Sequence, residues 1–118
     1  MFLKKSNANE ILGVKDYTKE KHLVIPDCVT NIDNVAFWDC TSLESITISN
    51  GITHIGNCTF WDCTSLKSIT IPNSIAYIGN WAFWRCDNLK SISISRKTNV
   101  SKYTFDNCPA EIIWRENK

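Results

Sequence analysis

No stretch of this 118-residue chain stays apolar for long. Spanning a bilayer takes ~18 apolar residues in a row, and nothing here approaches that, so no membrane insertion is expected. The opening MFLKKSNANE lacks the continuous apolar segment of a secretory signal. Read as a complete gene product, the chain is expected to be cytoplasmic; read as a fragment of a longer protein, it belongs on a cell surface or outside the cell. Charge of one sign is missing too: 13 basic and 12 acidic residues leave a net charge of +1. That balance points to no nucleic-acid or membrane-surface partner. Basic residues cluster only locally, at Lys4, Lys5, Lys15, Lys19 and Lys21 and at Arg96, Lys97 and Lys102. Neither cluster carries interleaved aromatics, and both read as solvated surface.

The chemistry of a metal or catalytic site is equally thin. The six cysteines contain no CxxC pair, and the closest two, Cys58 and Cys63, are not set with a histidine in the spacing of a zinc module. No metal or cofactor is expected. The two histidines, His22 and His54, fall at unrelated points of the sequence pattern and are tied to no acid and nucleophile. A catalytic group should be singular, whereas nearly every conspicuous residue in this chain recurs. The exceptions are Cys28, Cys58 and Trp81. Cys58 stands where Val35 and Trp81 stand one period away, which favours packing over a reactive thiol.

What the chain does have is a 23-residue period. Leu23, Ile46, Ile69 and Ile92 begin four successive turns, each followed two residues later by Ile25, Ile48, Ile71 or Ile94. Val29, Ile52 and Ile75 align next, then Ile32, Ile55, Ile78 and Val100, then Phe37, Phe60, Phe83 and Phe105. Cys40, Cys63, Cys86 and Cys108 follow, and Leu43, Leu66 and Leu89 close each turn. So many inward positions cannot be buried by one isolated turn, so the turns must stack as a solenoid with a shared core. The segments SITIS, SITIP and SISIS alternate small polar and β-branched residues, the signature of a strand with one buried face. Equivalent strands must then run parallel. Gly56 and Gly79 recur after NGITHI and NSIAYI, where a positive φ or a close backbone approach is expected. From that glycine to the cysteine there is room for at most one or two helical turns, 3₁₀ in character, on the outer wall. The cysteines, one per turn, read as reduced, buried thiols, because side chains pointing in parallel make poor disulfide geometry.

The pattern C-x-x-L-x-x-I-x-I-x-x-x-I-x-x-I-G-x-x-x-F-x-x-C runs in full from Cys40 to Cys63 and again from Cys63 to Cys86. It resembles the BspA-like, or Treponema-type, class of leucine-rich repeat, from about Leu23 to Trp114. The expected fold is a β-rich leucine-rich-repeat solenoid with a parallel sheet on the concave face and short 3₁₀, helical or irregular segments outside. The chain reads as one domain: an N-terminal half-turn over 1–22, three full repeats over 23–91, and a degenerate closing repeat over 92–118. That last turn departs from the pattern. It is one residue short, sets Lys97 or Thr98 where Ile75 would be, and has Glu111 in place of the closing leucine.

Three surfaces follow from this architecture. The strands expose Ser45, Thr47 and Ser49, then Ser68, Thr70 and Pro72, then Ser91, Ser93 and Ser95, flanked by Glu44, Lys67 and Lys90. This hydroxyl ladder reads either as a solvated strand face or as a docking platform, the face that leucine-rich repeats commonly offer to protein partners. An ice-ordering lattice is disfavoured, since serine dominates threonine and Pro72 interrupts the array. The second surface is the column Trp38, Trp61 and Trp84, read either as stacking that stiffens the outer wall or as an exposed binding stripe. The third is the pair of solenoid ends, where an imperfect cap would permit a homodimer through a solenoid edge. The resemblance therefore implies a non-enzymatic module that binds a protein of unknown identity. Larger members of the family are often bacterial or protist surface proteins, so an adhesin fragment binding host or matrix proteins is the alternative.

Overall fold

The structure, a computed structural model, describes residues 19–25, 27 and 29–116. The half-turn expected over 1–22 lies, up to residue 18, outside the described residues, as does Cys28. Within the described residues the chain winds through nine short strands: β1 (His22–Val24), β2 (Asn31–Ile32), β3 (Ser45–Thr47), β4 (His54–Ile55), β5 (Ser68–Thr70), β6 (Tyr77–Ile78), β7 (Ser91–Ser95), β8 (Asn99–Val100) and β9 (Glu111–Arg115). Odd strands form one sheet in the order β1-β3-β5-β7-β9, and even strands a second, β2-β4-β6-β8. Every pairing is parallel.

Sequence periodicity becomes register directly. Leu23 sits opposite Ile46 and Ile46 opposite Ile69, so each buried aliphatic side chain lies over another one turn away. Slipping by one residue would turn each of these side chains to solvent, which fixes the register strongly. Behind the sheet, Phe37, Phe60 and Phe83 are fully buried and stack with Phe105 in a continuous column, ring centroids 5.4 Å apart at each step. Burying one such side chain is worth about 1.5–3 kcal/mol. That gain is available to a turn only when a neighbour supplies the other face.

The outer wall takes the irregular form among those expected. No helix is found among the described residues between the glycine and the cysteine of any turn. The reason lies in where the N–H groups go. Ala36, Trp38 and Cys40 donate locally to Asp33, Val35 and Phe37, as a tight turn would. The intervening Val35, Phe37 and Asp39 instead donate to Asn57, Thr59 and Trp61, one turn further on. Alternation of this kind needs left-handed backbone at two points per turn, and φ is 56° at Val35 and 63° at Asp39, with Cys58, Asp62, Trp81, Arg85 and Asn107 at 55–64° in later turns. The wall is thus hydrogen-bonded from turn to turn, much as a sheet is.

The glycines resolve to one of their two expected roles. Neither has positive φ. A Cβ at Gly56 would lie 2.5 Å from the Asn34 backbone nitrogen, so glycine is there for close approach. The last turn is also corrected in detail. Thr98, not Lys97, takes the place of Ile75, buried with its hydroxyl donating to the Ile75 carbonyl at 2.8 Å. Glu111 does not replace the closing leucine; it pairs with Ser91, and Ile112 with Ile92. Cys108-Pro109-Ala110 is shorter than the Cys86 to Lys90 segment it follows, so the leucine position is lost and β9 completes a fifth rung.

Candidate functional site

The outward face of the five-stranded sheet is built from alternate strand positions. Ser45, Ser68 and Ser91 form one row, and Thr47, Thr70 and Ser93 the next, each set opposite its neighbour by the parallel register. The rows continue to the edges, where His22 and Glu111 end the first, and Val24 and Ile113 the second. The structure therefore brings the expected hydroxyls together as one surface. They are not equivalent, however. Ser45 Oγ is 2.7 Å from His22 Nδ1, and Ser93 Oγ accepts from the Arg115 guanidinium at 2.7 Å. Thr47, Ser68, Thr70 and Ser91 are exposed to solvent, whereas Ser95 and Pro72 are buried and Ser49 is half-buried.

Arg115 is the residue that sequence reasoning missed. Projecting from β9, it also donates to the Ser93 carbonyl, to the Ile71 carbonyl and to Asn73 Oδ1, at 2.6–2.7 Å. It thereby straps the ends of β5 and β7 and closes one side of a shallow groove whose floor is Thr47, Ile48, Thr70 and Ile71. Nothing in the repeat announces this, because the turn that carries Arg115 is the one that breaks the period. A second omission did have a signal. Asn34, Asn57 and Asn80 recur at 23 residues, and each Oδ1 accepts the N–H of Asn57, Asn80 and Tyr103 in turn, at 2.7–3.0 Å. This asparagine ladder occupies the space that the recurrent glycines leave open.

Flanking charges are partly spent on one another. Glu44 and Lys67 form an ion pair at 3.5 Å across adjacent turns, while Lys90 is exposed. On the outer wall Trp38, Trp61 and Trp84 stack as a column, with centroids 5.1 and 4.1 Å apart and planes within 18°. Their faces are largely spent on one another. Trp38 remains 39% exposed at one end, and Arg85, itself paired with Asp62, lies over the Trp84 ring. A parallel stack joins Trp81 to Tyr103 at 5.6 Å.

The thiols form a ladder with no metal-binding geometry. Among the described residues no group of His, Cys, Asp or Glu could hold an ion. Cys63 and Cys86 donate their S–H to the carbonyls of Phe37 and Phe60, at 3.1 and 3.2 Å. Burial pushes the Cys40 thiol up to about 11, with Asp39 adding to the effect, and burial raises Cys63 and Cys86 as well. Such thiols stay protonated and unreactive at neutral pH. Cys58, half-buried, is raised by burial too.

Residues 15–115 match the family model of the BspA type leucine rich repeat region. The chain belongs to that family. Solved structures with the same fold include a leucine-rich repeat protein of T. pallidum, 23% identical with a TM-score of 0.67 over 81% of this chain and 52% of that one. Another, from Eubacterium ventriosum, is 19% identical with a TM-score of 0.63 over 86% and 33%. A leucine rich cell surface protein of Faecalibacterium prausnitzii is 21% identical with a TM-score of 0.62 over 82% and 36%. A search of curated proteins gave no match. This BspA-type chain spans about half or less of the length of these structures. Leucine-rich repeat proteins generally serve as protein-interaction modules. No helix among the described residues is long and apolar enough to cross a membrane.

Proposed function

We propose that this BspA-type repeat chain binds a protein partner, without catalysis, through the outward face of its five-stranded sheet. The observation that carries the reading is the two-row array Ser45-Ser68-Ser91 and Thr47-Thr70-Ser93, held in fixed register with Thr47, Ser68, Thr70 and Ser91 facing solvent. A preformed array of short side chains loses little conformational entropy on docking. The groove beside Arg115 adds apolar floor to that polar field. Glu44, Lys67 and Lys90 border it and would act at the rim, where charge tunes association rate more than affinity. The tryptophan column is the second contact surface of this reading, through ring edges and the exposed Trp38. The two histidines are not brought together: His22 lies on the five-stranded sheet and His54 on the other. Display on a cell surface, as for the F. prausnitzii protein, would use the same face.

The test begins with affinity capture from the source organism, identification of the captured protein and measurement of its Kd. Thr47→Arg combined with Thr70→Arg should weaken that Kd by about thirtyfold, the size of a ~2 kcal/mol hot spot. Unchanged affinity in a variant whose circular dichroism is native would overturn the assignment of this face.

A further inference from the structure

The phenylalanine and tryptophan columns repeat from turn to turn; the column through Cys58 does not. Val35, Cys58 and Trp81 stand at the same point of three turns, with φ of 56°, 57° and 57°. Each donates its N–H to the turn that follows, so the three side chains project in parallel. Trp81 stacks on Tyr103 at 5.6 Å, and Lys102 lies over the Tyr103 ring. On its other side Trp81 stacks with no ring among the described residues, and the neighbour in the column is the short Cys58. In the tryptophan column the same two-turn interval, from Trp38 to Trp84, is filled by one ring, Trp61, at 5.1 and 4.1 Å from its neighbours. Between Val35 and Trp81 that ring is missing. Val35 and Trp81 accordingly stay 42% and 37% exposed, whereas Trp61 is half-buried.

We propose that the notch over Cys58 takes one pyranose ring of a neutral saccharide, and that the next sugar unit lies in the groove beside it. That groove runs along the four-stranded sheet, shares Val35 with the notch, and is lined also by Asn31, Asp33, His54 and Tyr77. A sugar ring has an apolar C–H face, which suits the negative face of an indole. Its rim carries hydroxyl donors, and the groove meets them with acceptor oxygens from Asp33 and Asn31. His54, whose Nδ1 is 2.8 Å from Thr53 Oγ1, offers Nε2. A few placed polar groups beside an apolar surface are the usual make-up of a small-ligand site. Other ring-bearing ligands fit less well. A nucleotide or an acidic sugar would bring negative charge to a groove that holds Asp33 and no lysine or arginine. A proline-rich segment would bring backbone carbonyls, acceptors again, and few N–H donors. The site is separate from the hydroxyl face, which belongs to the five-stranded sheet.

Isothermal titration of the full chain with neutral tetrasaccharides of glucose, mannose, galactose and N-acetylglucosamine should give a Kd below about 1 mM for at least one of them. Trp81→Ala should weaken that Kd by about tenfold or more, whereas Trp81→Phe, which keeps a ring face, should weaken it by less than about threefold. Cys58→Phe puts the missing ring in place and should abolish binding. Failure of all four sugars to bind at about 10 mM overturns the proposal, as does a polyproline peptide that binds where they do not. So does unchanged sugar affinity in Cys58→Phe or Trp81→Ala with native circular dichroism.

Discussion

A methyl group added at Gly79 would fall within 2.7 Å of the Asn57 backbone nitrogen, while one at Gly51 would stay 3.0 Å from its nearest neighbour, the Asp27 carbonyl. The obstacle at Gly79 is backbone held by hydrogen bonds on both sides, so it cannot swing away as a side-chain tip would. Gly79→Ala is therefore expected to lower unfolding stability by about 2–3 kcal/mol, with a clearly smaller loss for Gly51→Ala, measured as the shift in urea midpoint at unchanged m. Each glycine and the asparagine of the turn before it act as a unit: Gly79 leaves out a side chain so that the Asn57 Oδ1 can reach the Asn80 N–H. Val35 shows the opposite economy, a β-branched residue held at φ 56° because its N–H must reach Asn57. Left-handed backbone at such a residue costs about 1–2 kcal/mol, offset by the bond it makes possible.

At the scale of elements, strand and wall are coupled by the thiol column. Cys63 and Cys86 hang from the carbonyls of the phenylalanine column one turn back. An unfolded thiol ionises near 9.0, whereas Cys40 in the fold waits until about 11 and Cys63 and Cys86 are raised as well. Above that unfolded value the unfolded chain binds fewer protons than the folded one, so stability must fall as pH rises. Equilibrium unfolding should show stability level up to about pH 8 and declining above pH 9, and Cys63→Ala should make the decline shallower. The strands were legible in the sequence because their alternation is a local signal: SITIS can be read without knowing its neighbours. The wall was not, because Val35, Phe37 and Asp39 send their hydrogen bonds to another turn and no local pattern records it. Of the candidate surface, the rows of hydroxyls were legible and the Arg115 strap was not, since a shortened turn shifts every residue after Cys108 out of phase.

For the whole molecule, the joint between one turn and the next is the same joint repeated. Removing residues 45–67 would rejoin Glu44 to Ser68, set Phe37 beneath Phe83 and Trp38 beneath Trp84, and leave each ladder continuous. The shortened chain is expected to fold cooperatively, with a denaturant m-value lower by about a fifth, in line with the surface lost. A chain left unfolded by that deletion would show that the turns are not interchangeable. The alternating bonds of the outer wall have a mechanical consequence as well. Force applied along the solenoid axis loads two sheets, the wall and the stacked rings at each boundary in parallel, so adjacent turns resist separation together. Force applied to a free strand end meets these contacts one after another. The molecule is stiff as a column and weak as a zipper, and β9, strapped by Arg115 across two rungs, is the stop at one end of the zip.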